Sequence, residues 1–188
     1  MPEVKNGEAM AFGSAKRIAV VGCVGAGKST VARTLGEMLD LEVFHLDRLW
    51  WQGGGYRIIG PDTAASHAMD DKAFRELQEE LISRDSWIID GGRADLDLRL
   101  ARAGVVVFLD LPRRTCTWRI IKRTGRPRAD YPPDVKESWR WMWVLIRWVW
   151  TYPRDKRTGM LLSIEEYAAH AKLIHCRSKS DVQHLLEG

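Results

Sequence analysis

The feature that constrains this chain most is the eight-residue stretch GCVGAGKS at residues 22–29, with three glycines ahead of a lysine and a serine. Residues 18–21, directly before it, form a short apolar run with β-branched members, which predicts a buried strand. In residues 30–39, directly after it, apolar side chains recur at helical spacing: Val31, Leu35, Met38 and Leu39. The stretch is therefore predicted to be a tight turn from a strand into a helix.

Such a turn suits the binding of an anion. Glycines allow backbone conformations and close approaches that a Cβ would forbid, so that backbone N–H groups can converge on a phosphate at the positive end of the helix. The lysine adds a positive charge for the β- and γ-phosphates, and the serine hydroxyl can bind Mg²⁺. The spacing Gly-x4-Gly-Lys-Ser matches the P-loop pattern, which predicts ATP and Mg²⁺ as cofactors. The residues predicted to bind the nucleotide are Gly22, Gly25, Ala26, Gly27, Lys28, Ser29, Thr30 and, late in the chain, Arg177.

Strand and helix patterns alternate along the rest of the chain. Strands are predicted at 18–21, 42–46, 87–90, 105–109 and 172–176, and a capping-box pattern at 163–166 predicts the start of a late helix. This alternation is typical of a parallel sheet with helices on both faces. The predicted fold class is α/β, a P-loop NTPase with a five-stranded parallel sheet flanked by helices. Residues 17–188 are predicted to form a single domain with a helical lid-like insert at about 113–158, and residues 1–16 a flexible extension.

Composition narrows the functional classes. The three cysteines are scattered, without a Cys-x-x-Cys pair, which argues against a disulfide framework or a zinc site and favours a reducing compartment. Residues 1–16 lack the apolar core of a signal peptide, and no segment has the roughly 18 consecutive apolar residues of a membrane span. We therefore expect a cytoplasmic protein. The net charge of +4 is modest and predicts no partner by itself.

Carboxylates follow three of the predicted strands, at the sheet edge where ligands bind in folds of this class. Asp47 follows the second strand, Asp90 the third and Asp110 the fourth. An aspartate that ends an apolar strand beside a P-loop commonly helps to hold Mg²⁺, and both Asp90 and Asp110 fit that description. From the residues alone, each of these aspartates could equally cap a turn.

The segment after the fourth strand is basic. Arg119 and Arg123 lie four residues apart on a predicted helix and therefore share a face. Guanidinium groups on a mobile element can stabilise the charge that spreads over a phosphoryl group during transfer, so both arginines are predicted to be catalytic. The alternative is a solvated basic helix.

Five tryptophans fall within twelve residues of the following stretch: Trp139, Trp141, Trp143, Trp148 and Trp150. A helix that is apolar nearly all round is predicted to be buried on two sides, here between the lid and the core. Three alternatives stay open. They are an aromatic wall for a planar substrate, a surface for single-stranded nucleic acid, and attachment to a membrane surface.

The span 18–186 resembles the adenylate-kinase-like P-loop kinases and, among them, the bacterial topology modulation proteins. The matching pieces are GCVGAGKST, HLDRLWW, DSWIIDGG, LDLRL, FLDLP and WRWMWVLIRWVWTYPRDKR. The resemblance implies a P-loop NTPase of the nucleoside or nucleotide kinase type. It implies that Asp90 rather than Asp110 serves Mg²⁺ together with Ser29. It also implies that Asp47 orients or deprotonates an acceptor hydroxyl, with a turn cap as the alternative. Where nucleotide kinases have Asp-Gly-Phe-Pro-Arg after the third strand, this chain has Asp-Gly-Gly-Arg at 90–93.

Two functional hypotheses follow from the sequence. The leading one is an ATP-dependent phosphotransferase that acts on a nucleoside, a nucleotide or another small metabolite, with ATP and the phosphoryl acceptor as its partners. The alternative is a nucleotide-dependent DNA-binding or regulatory protein of the topology-modulation type. Nucleic acid is the less favoured partner because the sequence has no helix-turn-helix or RRM-like signature.

Overall fold

The structure is a computed structural model that describes residues 12–52, 58–59, 70–92, 95–126 and 136–187. Most of the predicted N-terminal extension, residues 1–11, lies outside the described residues, as does the glycine-rich loop at 53–55.

Strands and helices alternate along the described chain. The strands are β1 (Arg17–Gly22), β2 (Val43–His45), β3 (Ile58–Ile59), β4 (Trp87–Asp90), β5 (Val105–Leu109), β6 (Lys136–Glu137) and β7 (Lys172–Cys176). The first four helices are α1 (Lys28–Leu39), α2 (Leu46–Gln52), α3 (Asp71–Ser83) and α4 (Leu96–Arg102). The last four are α5 (Arg113–Arg123), α6 (Trp139–Asp155), α7 (Arg157–Tyr167) and α8 (Lys179–Glu187).

Five strands form one parallel sheet in the order β2-β4-β1-β5-β7. The three inner strands are buried almost throughout, as expected for apolar strands that helices cover on both faces. β1 lies at the centre, so the carboxyl ends of β4 and β5 flank the glycine-rich turn that follows β1. The predicted five-stranded parallel α/β fold is confirmed. The short strands β3 and β6 pair separately.

Two element boundaries differ from the sequence prediction. The second strand ends at His45, and Asp47 lies in the first turn of α2 rather than at the tip of a strand. Ser163 does not open a helix either, because α7 begins at Arg157 and Ser163 lies in its interior. In both places the helix begins at an earlier residue than the local sequence pattern predicted.

The prediction that the tryptophan-rich helix is buried on two sides is wrong. One side of α6 packs into the core through Trp141, Met142, Leu145 and Val149. Four tryptophans remain substantially exposed: Trp139 at 63%, Trp143 at 67%, Trp148 at 48% and Trp150 at 47%. Across the described ranges of the chain, no helix is both long and apolar enough to traverse a bilayer.

Candidate functional site

The backbone of residues 22–27 has the shape that the glycine spacing predicted. Gly25 and Gly27 have φ values of +79° and +97°, a region that strongly favours glycine. A Cβ on Gly25 would lie 2.6 Å from the carbonyl oxygen of Cys116 in α5, which leaves no room for a side chain. α1 starts at Lys28 with neither a side-chain cap nor an acidic residue in its first turn. The start of α1 therefore offers backbone N–H groups to an anion, as uncapped helix N-termini do.

Two cations contact carbonyl groups of this turn. The Lys28 Nζ donates to the carbonyl oxygen of Cys23 at 3.1 Å. Arg119, from α5, donates through Nη1 to the carbonyl oxygen of Ala26 at 2.6 Å, and the same atom lies 2.9 Å from the position that a Cβ on Gly27 would take. The structure thus brings Lys28 and Arg119 to the same turn, although 91 residues separate Lys28 from Arg119 in the sequence.

A carboxylate meets the serine of the turn. The Ser29 hydroxyl donates to Asp90 Oδ2 at 2.8 Å, and His45 Nδ1 lies 2.5 Å from Asp90 Oδ1. Asp90 is buried, and it lies beside the turn because β4 pairs with β1. A hydroxyl and a carboxylate are oxygen donors of the kind that Mg²⁺ prefers, so the side chains present fit this ion. The sequence analysis did not predict the contact with His45.

Asp47 lies close to a fully buried arginine. Burial lowers the pKa of Arg99 to about 10, while the carboxylates of Asp95, Asp47 and Asp90 act in the opposite direction. Arg99 also donates to the side chain of Gln78 and, at 3.5 Å, to the carbonyl oxygen of Gly91. One guanidinium therefore places its charge near both Asp47 and Asp90. Nothing in the periodicity of α4 signalled this, because Arg99 occupies a position that is typical of an apolar core residue.

Asp110 serves a different set of partners. Arg157 donates to it through Nε at 2.9 Å and through Nη2 at 2.6 Å, and His175 Nε2 lies 3.0 Å from its Oδ2. Burial opposes ionisation of this carboxyl, but the hydrogen bonds from Arg157 and His175 outweigh burial and lower its pKa. These contacts join the start of α7 and the strand β7 to the end of β5. Asp110 thus fastens the segment that returns from the predicted insert, a role that the sequence analysis missed.

The remaining predicted residues are more dispersed. Arg123 contacts Glu137 through Nε at 3.0 Å and Nη2 at 3.1 Å, rather than the glycine-rich turn. The exposed Arg177 follows β7, and its backbone N–H donates to Asp181 at 2.7 Å. Thr30 is exposed in the first turn of α1. Although both arginines lie on α5, Arg119 contacts the glycine-rich turn, whereas Arg123 contacts Glu137.

A family model described as an AAA domain matches residues 18–139, from β1 through the glycine-rich turn and Asp90 to the start of α6. The chain belongs to this AAA domain family. The match includes Lys28, Ser29, Asp90 and Arg119, whose hydrogen bonds lie at the turn. Asp110 also lies inside the match, whereas its partners Arg157 and His175 lie beyond it.

Curated relatives are kinases. Over 139 residues the chain is 30% identical to shikimate kinase 2, chloroplastic, of Oryza sativa subsp. japonica, a match that covers 68% of this chain and 44% of the rice protein. The chain thus spans less than half the length of that relative. A shikimate kinase of Sulfurihydrogenibium sp. (strain YO3AOP1) is 28% identical over 126 residues, which cover 62% of this chain and 74% of that protein.

Solved structures share the fold. The shikimate kinase from Acinetobacter baumannii in complex with shikimate has a TM-score of 0.54 at 21% identity and covers 95% of this chain and 93% of its own. A sugar kinase from Janibacter sp. HTCC2649 has a TM-score of 0.51 at 20% identity and covers 92% and 90%. The likeness confirms the predicted P-loop kinase fold. The finer resemblance to topology modulation proteins stays a prediction.

Proposed function

We propose that this chain is an ATP-dependent phosphotransferase whose acceptor is a small metabolite with a hydroxyl group. The observation that carries the proposal is the 2.8 Å hydrogen bond from Ser29 to Asp90, beside a glycine-rich turn with an uncapped helix. A serine and an aspartate in this relation are the residues through which P-loop enzymes hold Mg²⁺.

In this proposal the N–H groups of residues 22–30 surround the phosphates of ATP. Lys28 and Arg119 exchange their carbonyl partners for phosphate oxygens, with which a cation forms stronger, charge-assisted hydrogen bonds. Ser29 and Asp90 would hold Mg²⁺, which would supply positive charge against the phosphates. Arg177 remains a proposed nucleotide contact at the end of β7. Arg123 stays a predicted catalytic residue, although its contact with Glu137 supports a structural role better.

The acceptor is proposed to bind near Asp47, at the start of α2. A new bond forms between the acceptor oxygen and the γ-phosphorus, while the bond from that phosphorus to the β–γ bridging oxygen breaks. The acceptor's proton passes to the Asp47 carboxylate, or Asp47 orients the hydroxyl. The positive charge of the buried Arg99 lies near Asp47 and attracts its carboxylate.

The choice of a hydroxyl-bearing acceptor is supported by the comparisons, since the relatives are named as kinases of shikimate and the structural neighbours as kinases of shikimate and a sugar. Shikimate and sugars are small polyhydroxylated molecules. Residues 113–158 are proposed to act as the lid of a single domain that spans 17–188. Closure of such a segment over the phosphates would exclude water, which otherwise competes with the acceptor.

The test is a screen of polyhydroxylated acids, sugars and nucleosides for ADP release in the presence of MgATP. With the acceptor that turns over, Asp90→Asn is expected to lower kcat about 100-fold or more, because a neutral amide holds Mg²⁺ poorly. Asp47→Asn is expected to lower kcat while the affinity for ATP stays close to that of the wild type. Asp85→Asn is the matched control, since Asp85 is fully exposed. Turnover by Asp90→Asn at the wild-type rate would contradict the proposal.

A further inference from the structure

Two contacts fix α6 beside α5 at opposite ends. The guanidinium of Arg113, the first residue of α5, lies 5.0 Å from the ring centroid of Trp150, late in α6. Arg123, the last residue of α5, makes an ion pair with Glu137, which lies just before α6 and whose side chain is only 1% exposed. The two helices therefore run in opposite directions and form one packed unit with a defined outer surface.

The outer surface of α6 carries a stripe of indole rings. At about 100° per residue, Trp139, Trp143 and Trp150 fall within about 40° of one another around the helix and extend over about 16 Å. Their exposed fractions of 63%, 67% and 47% show that the described core does not cover them. Contiguous exposed apolar surface of this kind commonly marks an interaction site.

Cations accompany the tryptophans on both helices. Arg147 is exposed beside the stripe on α6. On α5 the positions at helical spacing along the outer side are likewise exposed: Arg114, Trp118, Ile121 and Lys122. Among the side chains that the structure describes on these two helices, none is a carboxylate. We call this surface the aromatic–basic face: Arg114, Trp118, Ile121, Lys122, Trp139, Trp143, Arg147 and Trp150.

We propose that the aromatic–basic face docks on the surface of an anionic lipid bilayer. Indole rings favour the boundary between headgroups and acyl chains, where the ring is partly buried and its N–H stays hydrated. Arginine and lysine side chains bury their stems beside the rings and hold their charges at the lipid phosphates. Because α6 is already folded against the core, docking does not have to order the helix. This inference concerns a surface and is independent of the proposed phosphotransferase activity.

Charge alone would equally attract single-stranded nucleic acid, but the shape of the face favours lipid. Proteins that bind single strands follow the backbone with a positively charged groove and stack bases on open ring faces. Here the tryptophans stand on the convex outer sides of two helices. In addition, Arg113 covers one face of the Trp150 ring, which reduces the ring area available for a base.

The test is co-sedimentation of the full chain with vesicles of phosphatidylcholine and phosphatidylglycerol, together with tryptophan emission. We expect binding at low salt, a blue shift of the emission and much weaker binding to vesicles of phosphatidylcholine alone. Trp139→Ala with Trp143→Ala should weaken binding on the order of tenfold or more. Arg147→Gln should weaken it about fivefold. All three substituted side chains are exposed, so the fold should tolerate these changes.

Matched controls are Leu173→Ala, which removes an exposed apolar side chain from β7, and Arg33→Gln, which removes an exposed arginine from α1. Both should bind vesicles as the wild type does. The proposal is overturned if the chain fails to bind anionic vesicles, or if it binds phosphatidylcholine vesicles equally well. It is also overturned if a single-stranded oligothymidine displaces the chain from the vesicles, or if the tryptophan variant converts a dimer into a monomer by light scattering.

Discussion

Cationic side chains contact both the glycine-rich turn and the α5–α6 helix pair, but the groups that accept their hydrogen bonds differ. At the turn, Lys28 and Arg119 donate to the neutral carbonyl groups of Cys23 and Ala26. In the helix pair, Arg123 instead donates to the carboxylate of Glu137, which is buried. A phosphate can replace a carbonyl group as partner at little cost, whereas removing a cation from a buried carboxylate is expensive. We therefore expect the partner of a cation to distinguish ligand-binding residues from structural ones.

The largest expected effect is that of Lys28→Ala. The variant should lower kcat/KM on the order of 1000-fold, about 4 kcal/mol of transition-state stabilisation, because Lys28 is proposed to contact the phosphates themselves. Its free energy of unfolding should match that of the wild type, since the hydrogen bond of Lys28 goes to a carbonyl group within its own turn. Steady-state kinetics and urea unfolding measure the two quantities, and Lys179→Ala serves as an exposed control. A variant that loses stability instead of turnover would place Lys28 with the structural cations.

The second prediction uses two arginines that are one helical turn apart. Arg123→Ala should lower the free energy of unfolding by about 3 kcal/mol, because it leaves the Glu137 carboxylate buried without this cation. Arg119→Ala should leave stability nearly unchanged and lower kcat about 100-fold. Lys122→Ala, an exposed change on the same helix, should alter stability by less than about 0.5 kcal/mol. The distinction between the two regions fails if Arg123→Ala impairs turnover in a chain of normal stability.

The smallest expected effect concerns Asp110. The pKa of this carboxyl is lower in the folded chain than in the unfolded chain, where it is about 3.9. The ionised carboxylate therefore stabilises the fold in full at pH values above about 3.9. That contribution is lost as pH falls through the lowered pKa. Asp110→Asn should therefore cost about 1–2 kcal/mol at pH 7 and progressively less in acid.

Urea unfolding of the wild type and Asp110→Asn across this pH range measures the difference between them. Asp85→Asn, at a fully exposed site, should show almost no difference at any pH. A gap between wild type and Asp110→Asn that stays constant into acid would mean that the carboxylate charge does not stabilise the fold.

The buried strands and the glycine-rich turn could be predicted from the sequence because local physics decides them. Apolar β-branched runs form β1, β4 and β5, and the φ values found at Gly25 and Gly27 strongly favour glycine. The boundary of β2 was harder, because a run from 42 to 46 fits a strand and the start of a helix equally well. In the structure, Leu46 and Asp47 belong to the first turn of helix α2.

Which side chains meet could be decided only by the tertiary structure. Asp90 and Asp110 both lie at the carboxyl ends of strands that flank β1, so their positions in the sequence look alike. In the structure Asp90 accepts a hydrogen bond from Ser29. Asp110 instead contacts Arg157 and His175, which are distant from it in sequence.

The tryptophans of α6 show the same limit. Their spacing predicted apolar faces all round the helix, but a helix is covered only where other elements lie against it. The sequence by itself determined a P-loop, an alternation of strands and helices and an unusually aromatic helix, since each depends on residues close together in the chain. The tertiary structure decided which aspartate faces the serine, which arginine reaches the turn and which indoles face solvent, because contacts between distant segments depend on strand order and packing.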